Sequence, residues 1–371
     1  MMTLFGYLCE RIQQNGPMLF SEFMHHALYA PLAGYYSAGL QKFGPGGDFI
    51  TAPELTPLFG QTLAMQCQQI LAVLSDPIVF EFGAGSGQLC VDLLTHLEQL
   101  DCLPREYHIL EVSSHLRHRQ QALIALKIPH LLPRVQWLSA WPKQSFNGVV
   151  IANEVLDAMP VSRFLQTAAG LFESHIALNA QGLLHEVYTA CDNSRLNTHV
   201  RAVLPRDLFP SQSEANLFID DWLQACYDML ERGAVILLDY GFPQHEYYHP
   251  DRNQGTLMCH YHHRAHTNPL INLGEQDITA HVDFTHVAEA GSKAGFHVAG
   301  FTTQASFLLA NGLLNLLSGM TDGHARMKAQ QAVKQLVQPN EMGELFKVIS
   351  LTKQLDMALN GFQLQDRRAS L

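Results

Sequence analysis

Apolar residues recur along this chain at helical spacing, interrupted by short runs that are apolar almost throughout. Phe5, Leu8 and Ile12, then Phe20, Phe23, Met24 and Leu28, predict two helical pieces within residues 1 to 30, parted at Pro17. Stretches rich in Gly and Pro follow at 31–36 and 43–53, and helical spacing returns from Leu58 to Leu74. The continuous runs Ile78–Phe82, Tyr107–Val112, Arg134–Leu138, Gly148–Asn153 and Ala234–Gly241 read as strands. Helical patterns such as Ser114–Leu126 lie between them, as expected of a parallel sheet covered on both faces. Between 163 and 189 the pattern changes to two strand-like runs around the turn Asn179-Ala-Gln-Gly182, a hairpin signal. With the polar stretch 190–213 this forms an inserted antiparallel piece. It leads into a predicted helix from Ser213 to Arg232, with Ser213 as N-cap and Gly233 beyond its end. Residues 242–280 read as a histidine-rich loop, 285–294 as a helix ended by Gly295, 297–303 as a strand, and 306–359 as mainly helix.

The expected fold is therefore α/β, a Rossmann-like sheet with additions. Residues 1–57 supply N-terminal helices and a lid loop, 58–160 the nucleotide-binding core, and 161–232 the inserted hairpin and helix, a cap for substrate or for a second copy. Residues 233–305 return to the core sheet, and 306–371 are C-terminal helices.

The stretch that organises the rest is Ile78-Val-Phe-Glu-Phe-Gly-Ala-Gly-Ser-Gly87. It reads as strand, glycine turn, helix, a turn at which bare backbone admits a ligand and the helix start offers free N–H groups. The dinucleotide fingerprint spaces its glycines G-x-G-x-x-G. Here Gly83 and Gly85 fit, but position 88 is Gln and the third glycine comes early, at 87. This G-x-G-x-G form, with Glu81 two residues ahead of it, resembles the first motif of S-adenosylmethionine methyltransferases. Glu111, at the end of the next strand, is placed to accept both ribose hydroxyls. Its distance from Gly87 would also suit a nicotinamide dinucleotide protein, so the glycine pattern discriminates and Glu111 supports. Asn153, Glu154 and Asp157 follow the 148–153 strand, and Asp239 and Tyr240 end another. The carboxyl ends of such strands form the crevice where open α/β sheets bind ligands.

Charge and cysteines narrow the function. There are 23 Lys and Arg against 34 Asp and Glu, a formal charge of −11, with no basic run; this excludes a nucleic-acid backbone binder. An acidic surface is compatible with a basic polypeptide partner. The 7 cysteines are scattered with no C-x-x-C, the usage of reduced thiols. The run Cys259–His266 lacks a paired cluster at metal-ligand spacing, so no metal is expected. No apolar run is long enough to span a membrane and no secretory signal is evident, so a cytoplasmic location is expected.

Five motifs in order carry a family resemblance: Gly47-Asp-Phe-Ile-Thr-Ala-Pro-Glu54, Glu81–Gly87, Asn153-Glu-Val-Leu-Asp-Ala-Met-Pro160, Asp239-Tyr-Gly241 and Asp277-Ile-Thr-Ala-His-Val-Asp-Phe284. Together they resemble the MidA-like family of S-adenosylmethionine-dependent methyltransferases, whose mitochondrial branch is an arginine methyltransferase needed for assembly of respiratory complex I. Ala84 stands where the family usually has Pro. The resemblance implies a class I methyltransferase core and S-adenosylmethionine as cofactor, with a protein substrate such as a respiratory subunit. Homodimers are compatible with it. It implies that Asp48 and Thr51 belong to a lid near the cofactor, and that Asn153, Glu154 and Asp157 line the active site. Glu81, Gly83, Gly85, Gly87 and Glu111 are then the cofactor set. Glu154 and Asp157, three residues apart, are the candidates to grip a guanidinium, and His281 or Asp283 to take the released proton. The rival readings are a methyltransferase for a small molecule, a cofactor-binding assembly factor with little catalysis, and a dinucleotide oxidoreductase.

Overall fold

The computed structural model describes residues 3–37, 51–204 and 210–371. Its centre is a mixed sheet of seven main strands: β1 (Ile78–Phe82), β2 (Glu106–Leu110), β3 (Val135–Leu138), β4 (Phe146–Asn153), β5 (Leu230–Phe242), β6 (His297–Thr303) and β7 (Phe346–Lys353). The spatial order is β6-β7-β5-β4-β1-β2-β3. Strands β3, β2, β1, β4 and β5 are parallel, and β7 runs antiparallel between β5 and β6. The order reverses at β1 and β4, so their carboxyl ends open the crevice where ligands bind in such sheets.

Both faces of the sheet are covered. Val79, Val149, Ile151, Ile236 and Leu238 pack under the helices Pro57–Leu71 and Gln88–Gln99 and the C-terminal helices. Phe80, Val150, Val235, Leu237 and Ile349 pack on the other face, against Ile219–Met229 and Phe284–Ala294. Residues alternate between these two sets along each strand, which explains why the sequence shows unbroken apolar runs.

The insertion forms a five-stranded antiparallel sheet from Ser162–Thr167, Gly170–Leu178, Leu184–Ala190, Ser211–Ala215 and the short Met18–Leu19. The expected turn at 179–182 is there. Asn179 Oδ1 accepts the N–H groups of Gln181 and Leu183, and Gly182 has φ 74°. The N-terminal helices, Leu4–Asn15 and Phe20–Tyr29, pack on this sheet through Leu8, Phe20, Phe23 and Ile176.

Several expectations are corrected. Ser213 is not an N-cap: it lies buried in the strand Ser211–Ala215, and the following helix is Ile219–Met229. Small alternating residues there fit a strand facing Arg163 and Phe164. Gly233 is not past a helix end but inside β5, where a Cβ would meet the Gly148 carbonyl 1.8 Å away. The C-terminal region is not helical throughout, because Phe346–Lys353 is the buried strand β7. The histidine-rich stretch contains a hairpin, Met258–Tyr261 with Arg264–His266, rather than only loop. Among the described residues no helix is long and apolar enough to cross a membrane.

Candidate active site

A cavity of about 770 Å³ opens at the carboxyl ends of β1, β2 and β4. Its floor is the glycine loop. Gly83, Gly85 and Gly87 all adopt positive φ, at 58°, 52° and 88°, a region that costs an L side chain strain. Gly87 is doubly required, since a Cβ there would stand 3.2 Å from the Gln120 Cα.

Beside the loop, Glu111 is buried, directly after β2. Its Oε1 accepts the Ser113 N–H at 2.8 Å and its Oε2 accepts Gln120 Nε2 at 3.0 Å. Burial raises its carboxyl above the ordinary range, opposed by these hydrogen bonds. Each oxygen has a second lone pair, so a ribose diol can still donate to it. Gln120 was legible only as a helix position. In the structure its Nε2 also donates to the Gly85 carbonyl at 3.1 Å, and its Oε1 accepts the Trp137 indole N–H at 2.9 Å. It therefore ties the glycine loop to Glu111. Glu81 lines the same end, with Tyr107 Oη donating to it at 2.7 Å; burial pushes its carboxyl up to about 7.

The other end of the cavity is acidic. Glu154 follows β4 in the left-handed region, φ 53°, its N–H held by the Leu238 carbonyl at 2.9 Å. Strained backbone of this kind persists where the surroundings over-determine it. The constraint here is Asp239, fully buried within the carboxyl-terminal part of β5. Its Oδ2 accepts the N–H groups of Val155, Leu156 and Asp157 at 3.2, 2.9 and 3.3 Å. Glu154 and Asp157 are thus brought together by a turn wrapped around Asp239 and not by a helix. Tyr240 Oη donates to Asp157 Oδ2 at 2.6 Å, while Asp157 Oδ1 is buried with no hydrogen-bond partner. Burial, then the Asp157 charge, pushes Glu154 up to about 8, and Asp277 adds to this. Burial likewise raises Asp157, against the Tyr240 hydrogen bond. Asn153 Nδ2 donates to Glu154 Oε1 at 3.2 Å.

The remaining expectations divide. Thr51 lines the cavity ahead of the short helix Ala52–Leu55; Asp48 lies outside the described residues. His281 and Asp283 do not line this cavity. Asp283 caps the helix Phe284–Ala294, accepting the N–H groups of Thr285 and His286 at 3.0 and 3.2 Å. His281 stacks on Phe242 and meets Tyr240 edge-on, one layer behind Asp157, and burial lowers it to about 4. The strand here is only Val282–Asp283, cut short by the helix that begins at Phe284. Of that motif it is Asp277 that reaches the cavity.

Five carboxylates, Glu81, Glu111, Glu154, Asp157 and Asp277, line the cavity, and no lysine or arginine stands among its described lining residues. Such a lining repels a pyrophosphate and suits a cationic sulfonium, so the residues present fit S-adenosylmethionine and not a dinucleotide.

Comparison with known proteins agrees. Residues 62–302 match a family described as "Putative S-adenosyl-L-methionine-dependent methyltransferase". A COG1565 superfamily member from Burkholderia thailandensis, crystallised with S-adenosyl-homocysteine, superposes with a TM-score of 0.95 at 42% identity, over 99% of this chain and 96% of that one. The mitochondrial protein arginine methyltransferase NDUFAF7 of Danio rerio is 26% identical over 94% of this chain and 86% of its own length. The human protein of that name is 27% identical, over 93% and 82%. With that match over most of its length and its glycine loop on a mixed α/β sheet, the chain belongs to this family of S-adenosylmethionine-dependent methyltransferases.

Proposed function

We propose that the methyl acceptor is an arginine side chain of a protein partner. The observation that carries this reading is the acidic end of the cavity, where Glu154, Asp157 and Asp277 line the wall with no lysine or arginine among the described lining. The charges of Asp157 and Asp277 both act on Glu154, and a ligand that brings positive charge relieves that repulsion. The names of the NDUFAF7 relatives support the same acceptor.

When bound, S-adenosylmethionine supplies an electrophilic methyl group. The chain's own tasks are to hold, orient and deprotonate the acceptor. Gly83, Gly85, Gly87, Glu81 and Glu111 hold the cofactor end. Glu154 and Asp157 face the acceptor, where two carboxylates can accept several N–H bonds from one guanidinium and localise its lone pair on the remaining nitrogen. Such positioning accounts for roughly 7–11 kcal/mol of a barrier. The proton lost from the guanidinium passes to a carboxylate, and Glu154, raised to about 8, is matched to that task near neutral pH. Asp239 and Tyr240 act through the turn they hold.

The test is Asp157→Asn. It should leave S-adenosylmethionine affinity unchanged and reduce turnover on arginine-containing protein by roughly 100-fold or more. Full activity would remove Asp157 from the mechanism.

A further inference from the structure

We propose that Asp277, with Tyr29 and Tyr36, forms the wall that selects the acceptor as a planar guanidinium rather than a compact ammonium. This rests on the arginine reading above and adds to it the residues that make the choice.

The N-terminal helix and the turn after it are fastened to both acid-bearing loops. Tyr36 Oη donates to Asp277 Oδ2 at 3.0 Å. Tyr29 Oη donates to the Ala158 carbonyl at 3.0 Å, next to Asp157. The two rings stack on each other, with centroids 5.5 Å apart and planes 19° off parallel, and both line the cavity. Tyr29 lies within electrostatic reach of Asp277, Asp157 and Glu111. Glu154 in turn feels Asp157 and Asp277, which makes the three acids one cluster. Asp277 is 1% exposed and Asp157 6%, and the partnerless Asp157 Oδ1 lies at the same wall.

A single positive charge of any shape would answer this cluster electrostatically. Shape and hydration make the selection. The three acids come from two segments far apart in sequence: the turn after β4 carries Glu154 and Asp157, and the strand Asp277–Thr279 carries the third. A guanidinium spreads five donors over a plane and can reach acids on several sides, and it also packs on aromatic rings. An ammonium is a compact point charge that gives up its water less readily. Asp277 is thus an acceptor-binding residue, and Tyr36, acting through it, a positioning residue.

The experiment uses the full chain saturated with S-adenosyl-homocysteine and titrated calorimetrically with N-acetyl-arginine amide and N-acetyl-lysine amide. The wild type should bind the arginine probe about 10-fold tighter than the lysine probe. Asp277→Asn should lose about 10-fold for the arginine probe with S-adenosyl-homocysteine affinity unchanged, and Tyr36→Phe a smaller part of that loss. Should Asp277→Asn not fold, as its S-adenosyl-homocysteine binding would reveal, Tyr36→Phe alone decides: an unaltered arginine-to-lysine ratio overturns the proposal. Wild-type-like arginine binding by a folded Asp277→Asn overturns it while leaving the arginine acceptor standing. Equal binding of both probes by the wild type overturns the shape selection. A wild type that binds S-adenosyl-homocysteine but neither probe removes the arginine reading, and this proposal with it.

Discussion

Replacing Glu111 by glutamine is the sharpest perturbation of the cofactor end. The carboxylate accepts one donor on each oxygen, the Ser113 N–H at 2.8 Å and Gln120 Nε2 at 3.0 Å. A glutamine must turn its amide nitrogen toward one of them. Facing Ser113, it orphans a buried backbone N–H. Facing Gln120, it forces that amide to flip, which breaks the bonds to the Gly85 carbonyl and the Trp137 indole. Either outcome leaves a buried donor unsatisfied at about 1–3 kcal/mol, a cost borne by free and liganded protein alike and read as a lower Tm. The affinity loss is separate. Ribose hydroxyls donating to a carboxylate make charge-assisted bonds worth about 1.5–3 kcal/mol each, so loss of one such contribution weakens S-adenosylmethionine binding roughly 10- to 100-fold. Glu111→Ala should fall in the same range. The assay is calorimetric titration with S-adenosylmethionine and S-adenosyl-homocysteine, with Tm measured in parallel. An affinity within about two-fold of wild type, in a variant with lowered Tm, would refute the assignment of Glu111 to the ribose.

Gln120→Leu removes both the Gly85 and the Glu111 bond and orphans the Trp137 indole; cofactor affinity should fall about 10-fold, and the Trp137 emission should change. The raised carboxyl of Glu154 makes activity depend on pH with a definite sign. Below about 8 it holds its proton and cannot accept the acceptor's, so kcat/KM should rise with pH toward that value, and Glu154→Gln should abolish the rise. Because this folded-state carboxyl lies above its ordinary value, its stabilising contribution is present below the ordinary range and is lost as pH rises through about 8. The Tm of the free protein should decline over that interval and decline less in Glu154→Gln. Asp239→Ala orphans four N–H groups, those of residues 155, 156, 157 and 240, and should destabilise the fold by roughly 3 kcal/mol or more, measured by denaturant unfolding.

The core was legible because its parallel strands are buried on both faces, which writes Ile78–Phe82 and Gly148–Asn153 as runs that are apolar almost throughout. The glycine loop was legible because positive φ at three alternate positions leaves glycine as the preferred residue. Antiparallel β7 was hidden because it follows three helices and pairs with β5 and β6, far away in sequence. The strand at Ser213 was hidden because its buried residues are serines, a glutamate and an alanine, which carry no apolar alternation. The acceptor end was partly visible as Glu154 and Asp157. The groups that build it were not, since Asp239 works through backbone N–H groups 82 to 84 positions away, and Tyr36 reaches Asp277 across 241. Within the 277–284 motif the sequence pointed to His281 and Asp283 and gave Asp277 no role. Only the fold separates Asp277 at the cavity from Asp283 at a helix cap and His281 behind Tyr240.

The central claim, methyl transfer to protein arginine, is tested most directly by isotope transfer. The protein is incubated with S-adenosylmethionine labelled in its methyl group and with an extract of its source cells, and the products are hydrolysed and resolved by mass spectrometry. The account predicts label in ω-N-methylarginine from a discrete protein band, absent with Asp157→Asn. Label confined to small molecules or to residues other than arginine would contradict it.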